Sequence, residues 1–266
     1  MQPLKVVLIG TGNVASRIAP LINASPDFQI IAVASRNADH ARNLAQALGD
    51  DVAWTDDFSS VSFTSADIVL ISVADNAIDT VVGAIGRLSS QPLVLHTSGT
   101  LDRALLSSIS SRTGVLYPLQ TFSKGRVIDM TGVPIFTEAE VPEDQPVVDV
   151  MAGAISSKVE HTSPTQRKGL HIAGVMTNNF TNVLLEEVQK ILSEEGYSLD
   201  VVRPLIEETV AKAFAVGPHD AQTGPARRGD KEVITEHINR LPERLKGIYA
   251  GLSDLIYKSH HEQDTI

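Results

Sequence analysis

The chain has 266 residues, room for one large domain or two modest ones at about 100–200 residues each. A hydrophobic fraction of 42% and a charged fraction of 20% exclude a disordered tail or a fibrous repeat. A net charge of −10 argues against a nucleic-acid partner, and the absence of Cys excludes disulfides, thiolate metal sites and thiol nucleophiles.

In chain order, apolar β-branched runs at 5–9, 29–34, 67–73, 92–96, 115–119 and 133–136 read as strands. They are apolar throughout rather than alternating, the pattern of strands covered on both faces. Helical patterns at 14–23, 38–48, 77–87 and 101–109 fall between them, so the strands are expected to be parallel with right-handed crossovers. The acidic stretch 138–150, which includes Glu138, reads as a surface loop running into a helix. Beyond Ser163-Pro164 a helical pattern runs to about Glu195 and stops at Gly196, and further helices are expected at 200–216, 231–240 and 242–259. The fold class is therefore α/β, with a doubly wound parallel-sheet Rossmann domain over 1–160 and an all-α domain over 161–266. No apolar run approaches the ~18 residues of a membrane span, and the start of the chain is too short an apolar run for a secretory signal. The expected location is the cytoplasm, with no membrane partner and no metal.

Gly10-Thr11-Gly12-Asn13-Val14-Ala15 follows the first strand and opens the first helix, the context in which such a pattern binds a dinucleotide. Gly10 permits the tight turn, Gly12 lets a pyrophosphate approach the backbone, and Ala15 allows close helix–strand packing. The helix N-terminus offers free N–H groups and a positive dipole end. At the end of the second strand, where Asp or Glu would favour NAD, the chain has Ser35-Arg36-Asn37. Arg36 suits a 2′-phosphate and so NADP(H), with Ser35 and Asn37 adding hydrogen bonds. The alternative is a solvated Arg36 with Asn37 capping the next helix.

Ligands of doubly wound sheets lie outside the carboxyl ends of the strands. Val73-Ala74-Asp75-Asn76 and His96-Thr97-Ser98-Gly99 sit at two such ends and are expected to flank the nicotinamide. Asp75 or Asn76 is equally a helix N-cap, and His96 is either a group that orients the substrate or a satisfied structural residue. Tyr117-Pro118-Leu119-Gln120-Thr121 ends the next strand and would form the far wall, with Gln120 a substrate contact. On a wheel at 100° per residue the long helix places His171, Val175, Asn178 and Asn182 on one side, with Lys168 and Asn179 at the edge. That side is either solvated or lines the cleft. Asn is a poor helix former, and its use here favours specific hydrogen bonds.

Together with the glycine loop, His96-Thr97-Ser98-Gly99, Tyr117-Pro118-Leu119-Gln120-Thr121-Phe122-Ser123, Leu170-His171, Asn179-Phe180 and Thr223-Gly224-Pro225-Ala226-Arg227-Arg228-Gly229-Asp230 carry a resemblance over nearly the whole chain. The sequence resembles the Rossmann-like NADP oxidoreductases with a C-terminal helical domain of unknown function, relatives of pyrroline-5-carboxylate reductase and the deazaflavin-dependent NADP reductases. The resemblance implies a helical domain like that of 6-phosphogluconate dehydrogenase and a homodimer formed through the helices. It names no substrate. The β-hydroxyacid dehydrogenases of the wider group carry a catalytic Lys followed four residues later by Asn; here Ile172 stands four residues after Lys168, which leaves His171 the better candidate.

The expected activity is NADP(H)-dependent hydride transfer to or from a small carbonyl or imine. His171 is the candidate proton donor, and Asn178 or Asn179 would hold the substrate heteroatom. Asn182, Gln120, Arg227 and Arg228 are candidate substrate contacts, the two arginines for an anionic group. The alternative is a non-catalytic NADP(H) sensor.

Overall fold

The computed structural model describes residues 2–60, 63 and 65–262. The chain divides into two compact units, Met1–Val183 and Leu184–Ile266. The first holds an eight-stranded sheet of order β3-β2-β1-β4-β5-β6-β7-β8. Its strands are β1 (Leu4–Ile9), β2 (Phe28–Ala34), β3 (Ala53–Thr55), β4 (Ile68–Ile71), β5 (Leu93–His96), β6 (Thr113–Pro118), β7 (Ile135–Ala139) and β8 (Val159–His161). All the pairings are parallel except β6–β7. The antiparallel β7 corrects the expectation of parallel strands throughout, and it moves Glu138 from a loop into a strand, where it is buried.

Helices α1 (Asn13–Ala24), α2 (Ala38–Leu48), α3 (Ile78–Ile85) and α4 (Gln145–Ile155) cross between strands. The segment expected as a helix over 101–109 is a 3₁₀ stretch, Arg103–Ser108, begun by Asp102, whose carboxylate accepts from the Ala104 N–H. Helix α1 turns Ala15, Ile18, Ala19 and Ile22 into the core. Burying a side chain the size of Ile18 contributes about 1.5–3 kcal/mol, whereas the alanines allow close approach. Strands β1, β4 and β5 are apolar on both sides and divide the interior into two clusters, one holding Leu8, Ile18 and Leu70, the other Ile9, Ile71 and Leu106.

The long helical stretch opens with α5 (Pro164–Gly174), continues as a π-helical stretch, Val175–Phe180, and ends as α6 (Thr181–Glu194). The Ser163 hydroxyl accepts from the Gln166 N–H while the Gln166 side-chain Oε1 accepts from the Ser163 N–H, a reciprocal cap that fixes the start. The compact units divide inside α6, whereas the sequence puts a domain boundary near 160, where β8 completes the sheet.

The second unit contains α7 (Arg203–Val216), short turns α8 (Pro218–Ala221) and α9 (Pro225–Arg228), α10 (Lys231–Arg240) and α11 (Glu243–His261). Asp230 caps α10 by accepting from the Val233 N–H. Among the described residues no helix is long and apolar enough to cross a membrane.

Candidate functional site

The strand order steps outward in opposite directions from β1, toward β2 on one side and β4 on the other. At such a switch point the crossing helices leave on opposite faces and a crevice opens beyond the strand ends. A cleft of about 1150 Å³ lies there, lined wholly by residues of the first unit.

Gly10 and Gly12 serve different needs. Gly10 has φ +105° and donates to the Ala34 carbonyl at 2.8 Å; a Cβ there would lie 2.1 Å from the Ser72 carbonyl oxygen. It is required for the fold. Gly12 has an ordinary φ of −71°, and a Cβ there would meet nothing within 4 Å. Gly12 precedes α1, whose N-terminal amides no side chain caps. Open space in front of uncapped helix amides is an anion cradle. The Asn13 side chain instead donates to the Phe122 carbonyl at 2.9 Å and Arg17 donates to the Arg126 carbonyl at 2.5 Å. These bonds hold the segment 122–126 against α1 and bring Lys124 into the cleft wall.

At the β2 end, Thr11 Oγ1 donates to Ser35 Oγ at 2.9 Å, which ties the glycine loop to the neighbouring strand. Arg36 is exposed, lines the cleft and has no ion-pair partner among the described residues. Asn37 does not line the cleft; its side chain accepts from the His40 N–H at 2.9 Å and caps α2. Ala15 is fully buried and packs rather than contacts a ligand, while Thr11, Asn13 and Val14 line the cleft. His40 and Asn43 of α2 also line it, and nothing in their local pattern beyond an amphipathic helix marks them.

Val73, Ala74, Asp75, Thr97 and Ser98 line the cleft as expected. Asp75 caps no helix; its carboxylate accepts from the Thr100 hydroxyl. His96 is a correction. It is fully buried, does not line the cleft, and its Nδ1 accepts from the Ser98 N–H at 3.0 Å. Burial, with the Arg167 charge adding, pushes its imidazole down to about 4, so it is a neutral structural residue that shapes the turn. Ser98 Oγ in turn accepts from the Thr100 and Leu101 N–H groups.

That turn presents Gly99 to two side chains from distant elements. Tyr117 at the end of β6 and His171 on α5 both line the cleft, with Tyr117 Oη 3.2 Å from His171 Nδ1. A Cβ on Gly99 would fall 2.6 Å from His171 Nδ1 and 2.8 Å from Tyr117 Cζ, so the glycine makes the room in which the pair meets. Tyr117 is 9% exposed. Burial pushes its hydroxyl above the usual phenol range; the Arg167 charge opposes this and the Asp75 charge adds to it. Sequence reasoning put Tyr117 in the cleft wall but had no way to pair it with a residue 54 positions on.

One turn before His171 stands Arg167, fully buried. Its Nε donates to Glu138 at 2.5 Å and its Nη1 to the Ser98 carbonyl at 3.0 Å. Arg103 binds the other Glu138 oxygen at 3.1 Å. The array joins α5, β7 and the Ser98–Gly99 turn.

Asn178 and Gln120 line the cleft; Asn179, Asn182 and Lys168 do not and are exposed. The π turns explain the failure of the stripe. A π turn advances the chain by more residues than 3.6, so a 100° wheel drawn from His171 loses phase beyond Val175. Arg227 and Arg228 lie in the second unit; Arg227 Nη1 donates to the Gln222 carbonyl at 2.5 Å, and Arg228 is exposed. Among the described residues no cluster of His, Asp and Glu is arranged to hold a metal.

Residues 5–98 match the family described as NADP oxidoreductase, coenzyme F420-dependent, and residues 133–256 match a domain of unknown function, DUF2520. No curated protein matches the chain. A putative NADP oxidoreductase from Bacteroides fragilis is 34% identical, with 97% of this chain and 99% of that one covered and a TM-score of 0.86. Two more distant structures share the fold. A reductive aminase from Aspergillus terreus, in complex with NADPH and ethyl levulinate, is 15% identical over 97% of this chain and 93% of its own, TM-score 0.70. A pyrroline carboxylate reductase from Plasmodium falciparum with NADP bound is 12% identical over 97% and 99%, TM-score 0.59.

Proposed function

The chain belongs to the NADP oxidoreductase family of its Bacteroides fragilis relative, and on that premise we propose that it binds NADP(H) and transfers a hydride between the nicotinamide and a small carbonyl or imine. The observation that carries the reading is the cradle at Gly12, open in front of the uncapped α1 amides, with Arg36, which has no ion-pair partner among the described residues, at the neighbouring strand end. The residues fit the cofactor. The α1 amides would hold the pyrophosphate, Arg36 the 2′-phosphate, and the Thr97–Gly99 turn the nicotinamide end.

When bound, NADPH supplies the hydride. The chain then has to hold the substrate and supply a proton. Asn178 and Gln120 offer hydrogen bonds to the substrate, and His171, paired with Tyr117, is the source of the proton. The test is a screen for NADPH oxidation against aldehydes, keto acids and cyclic imines. Turnover of at least one class supports the reading, and NADPH bound without turnover of any of them points to a sensor.

Arg36 sets the cofactor preference. NADPH is expected to bind at least about tenfold more tightly than NADH, about 1.4 kcal/mol. Replacing Arg36 with Ala narrows that gap while NADH affinity holds, measured by fluorescence titration. Equal affinities in the wild type would sink the preference.

The protein is further proposed to be a homodimer through its helices. In the second unit Phe214 is 89% exposed, Leu205 67% and Leu255 64%, and in the first Ile172 is 62% exposed. Soluble chains rarely leave so many large apolar side chains in water, and a stable interface covers more than about 1,000 Å². Light scattering at micromolar concentration is expected to give twice the mass of 28.5 kDa; a monomer would exclude the dimer.

A further inference from the structure

Resting on the reading above, we propose that Tyr117 is the group that hands the proton to the substrate and that His171 is the relay that restores it. Four observations support this order. Tyr117 Oη and His171 Nδ1 are 3.2 Å apart, within hydrogen-bond reach. Both side chains line the cleft at the turn carrying Thr97, Ser98 and Gly99, the strand end expected to face the nicotinamide. Tyr117 is buried at its inner wall, whereas His171 is only partly covered and so is the member of the pair with access to water. Gly99 leaves no room for a side chain between them and the backbone, so the ring positions are fixed by contact.

The step balances. As the substrate carbon accepts the hydride, a C–H bond forms and the C=O or C=N π pair moves to the heteroatom. The heteroatom takes the Tyr117 proton, and the tyrosinate takes the Nδ1 proton of His171 as the Nε2 of the same ring takes one from solvent, so the imidazole stays neutral and changes tautomer and the hydroxide left is neutralised by bulk buffer. A phenol carries its proton at neutral pH, and burial, which disfavours the tyrosinate, keeps it protonated until the heteroatom gains charge. The charged groups that act on Tyr117 are Arg167 from α5, which stabilises the tyrosinate, and Asp75 from the end of β4, which opposes it.

Two variants and two kinds of readout test the order. Tyr117→Phe is expected to lower kcat by about 10²–10⁴-fold with NADPH affinity unchanged. His171→Gln is expected to lose less than Tyr117→Phe and to recover in part when imidazole is added. In the protein without cofactor, the ¹⁵N resonance of His171 Nδ1, assigned by its loss in His171→Gln, is expected to shift in Tyr117→Phe. An unchanged resonance, or a Tyr117→Phe enzyme within about threefold of the wild type, overturns this proposal alone. Absence of turnover by the wild type with every carbonyl and imine tried overturns the hydride-transfer reading and this proposal together.

Discussion

Gly12→Ala will keep its fold and lose NADPH by about 100-fold or more, whereas Gly10→Ala will lose the fold first. The two glycines stand two residues apart in one motif, yet they face different things. At Gly12 the backbone angle is one any residue adopts, and the added methyl points into open space in the free protein. Its stability is therefore expected within about 0.5 kcal/mol of the wild type. The same methyl stands where the pyrophosphate must approach the α1 amides, and a 100-fold loss corresponds to about 2.7 kcal/mol. At Gly10 a methyl would meet the Ser72 carbonyl oxygen at 2.1 Å in a backbone conformation with φ +105°. Strain and overpacking together cost about 2–6 kcal/mol. Thermal melts and NADPH titrations of both variants separate the effects. A Gly12→Ala protein that melts normally and binds NADPH like the wild type would remove the cradle from the account.

Glu138→Gln is expected to destabilise the first unit by about 3–5 kcal/mol, and Arg103→Met by much less. Glu138 is the carboxylate partner of Arg167, and Arg167 is fully buried with its Nη2 already without a hydrogen-bond partner among the described residues. Removing the charge leaves an uncompensated guanidinium in the interior, the situation in which breaking a buried pair costs most. Arg103, by contrast, is 22% exposed on its side chain and shares Glu140 as well. For a unit of this size, 3–5 kcal/mol lowers the melting temperature by about 6–20 °C. Replacing both partners, as in Arg167→Met with Glu138→Leu, is expected to recover much of the loss, because an apolar pair needs no compensation. A Glu138→Gln protein within about 1 kcal/mol of the wild type would show that the array is not what joins α5 to β7 and the Ser98–Gly99 turn.

The central strands of the first unit were legible because a strand buried on both faces is apolar at every position, and the glycine loop stands where a βαβ unit binds a dinucleotide; the short edge strands β3 and β8, three residues each and partly exposed, carry no such run and were not legible. The resemblance in the later motifs extended that reading to the helical part and to the family. Local pattern failed where long-range pairing decides. Glu138 looks like part of an acidic loop, and only Arg103 and Arg167, 35 and 29 residues away, make it a buried strand residue. His96 looks like a strand-end catalyst, but its Nδ1 is committed to the turn it begins. Of the helix stripe, His171 and Asn178 line the cleft whereas Val175 and Asn182 do not; a wheel assumes one period, and the π turns over Val175–Phe180 impose another. Arg167 lies on the face that His171 continues, four residues earlier, but a charged residue is the last one a hydrophobic pattern nominates for the interior.

Calorimetric titration of the wild-type protein with NADPH, and separately with NADH, tests the central claim most directly. One saturable NADPH site per chain is expected, with NADH at least about tenfold weaker. No saturable heat with either nucleotide would contradict the assignment of the cleft to a nicotinamide cofactor.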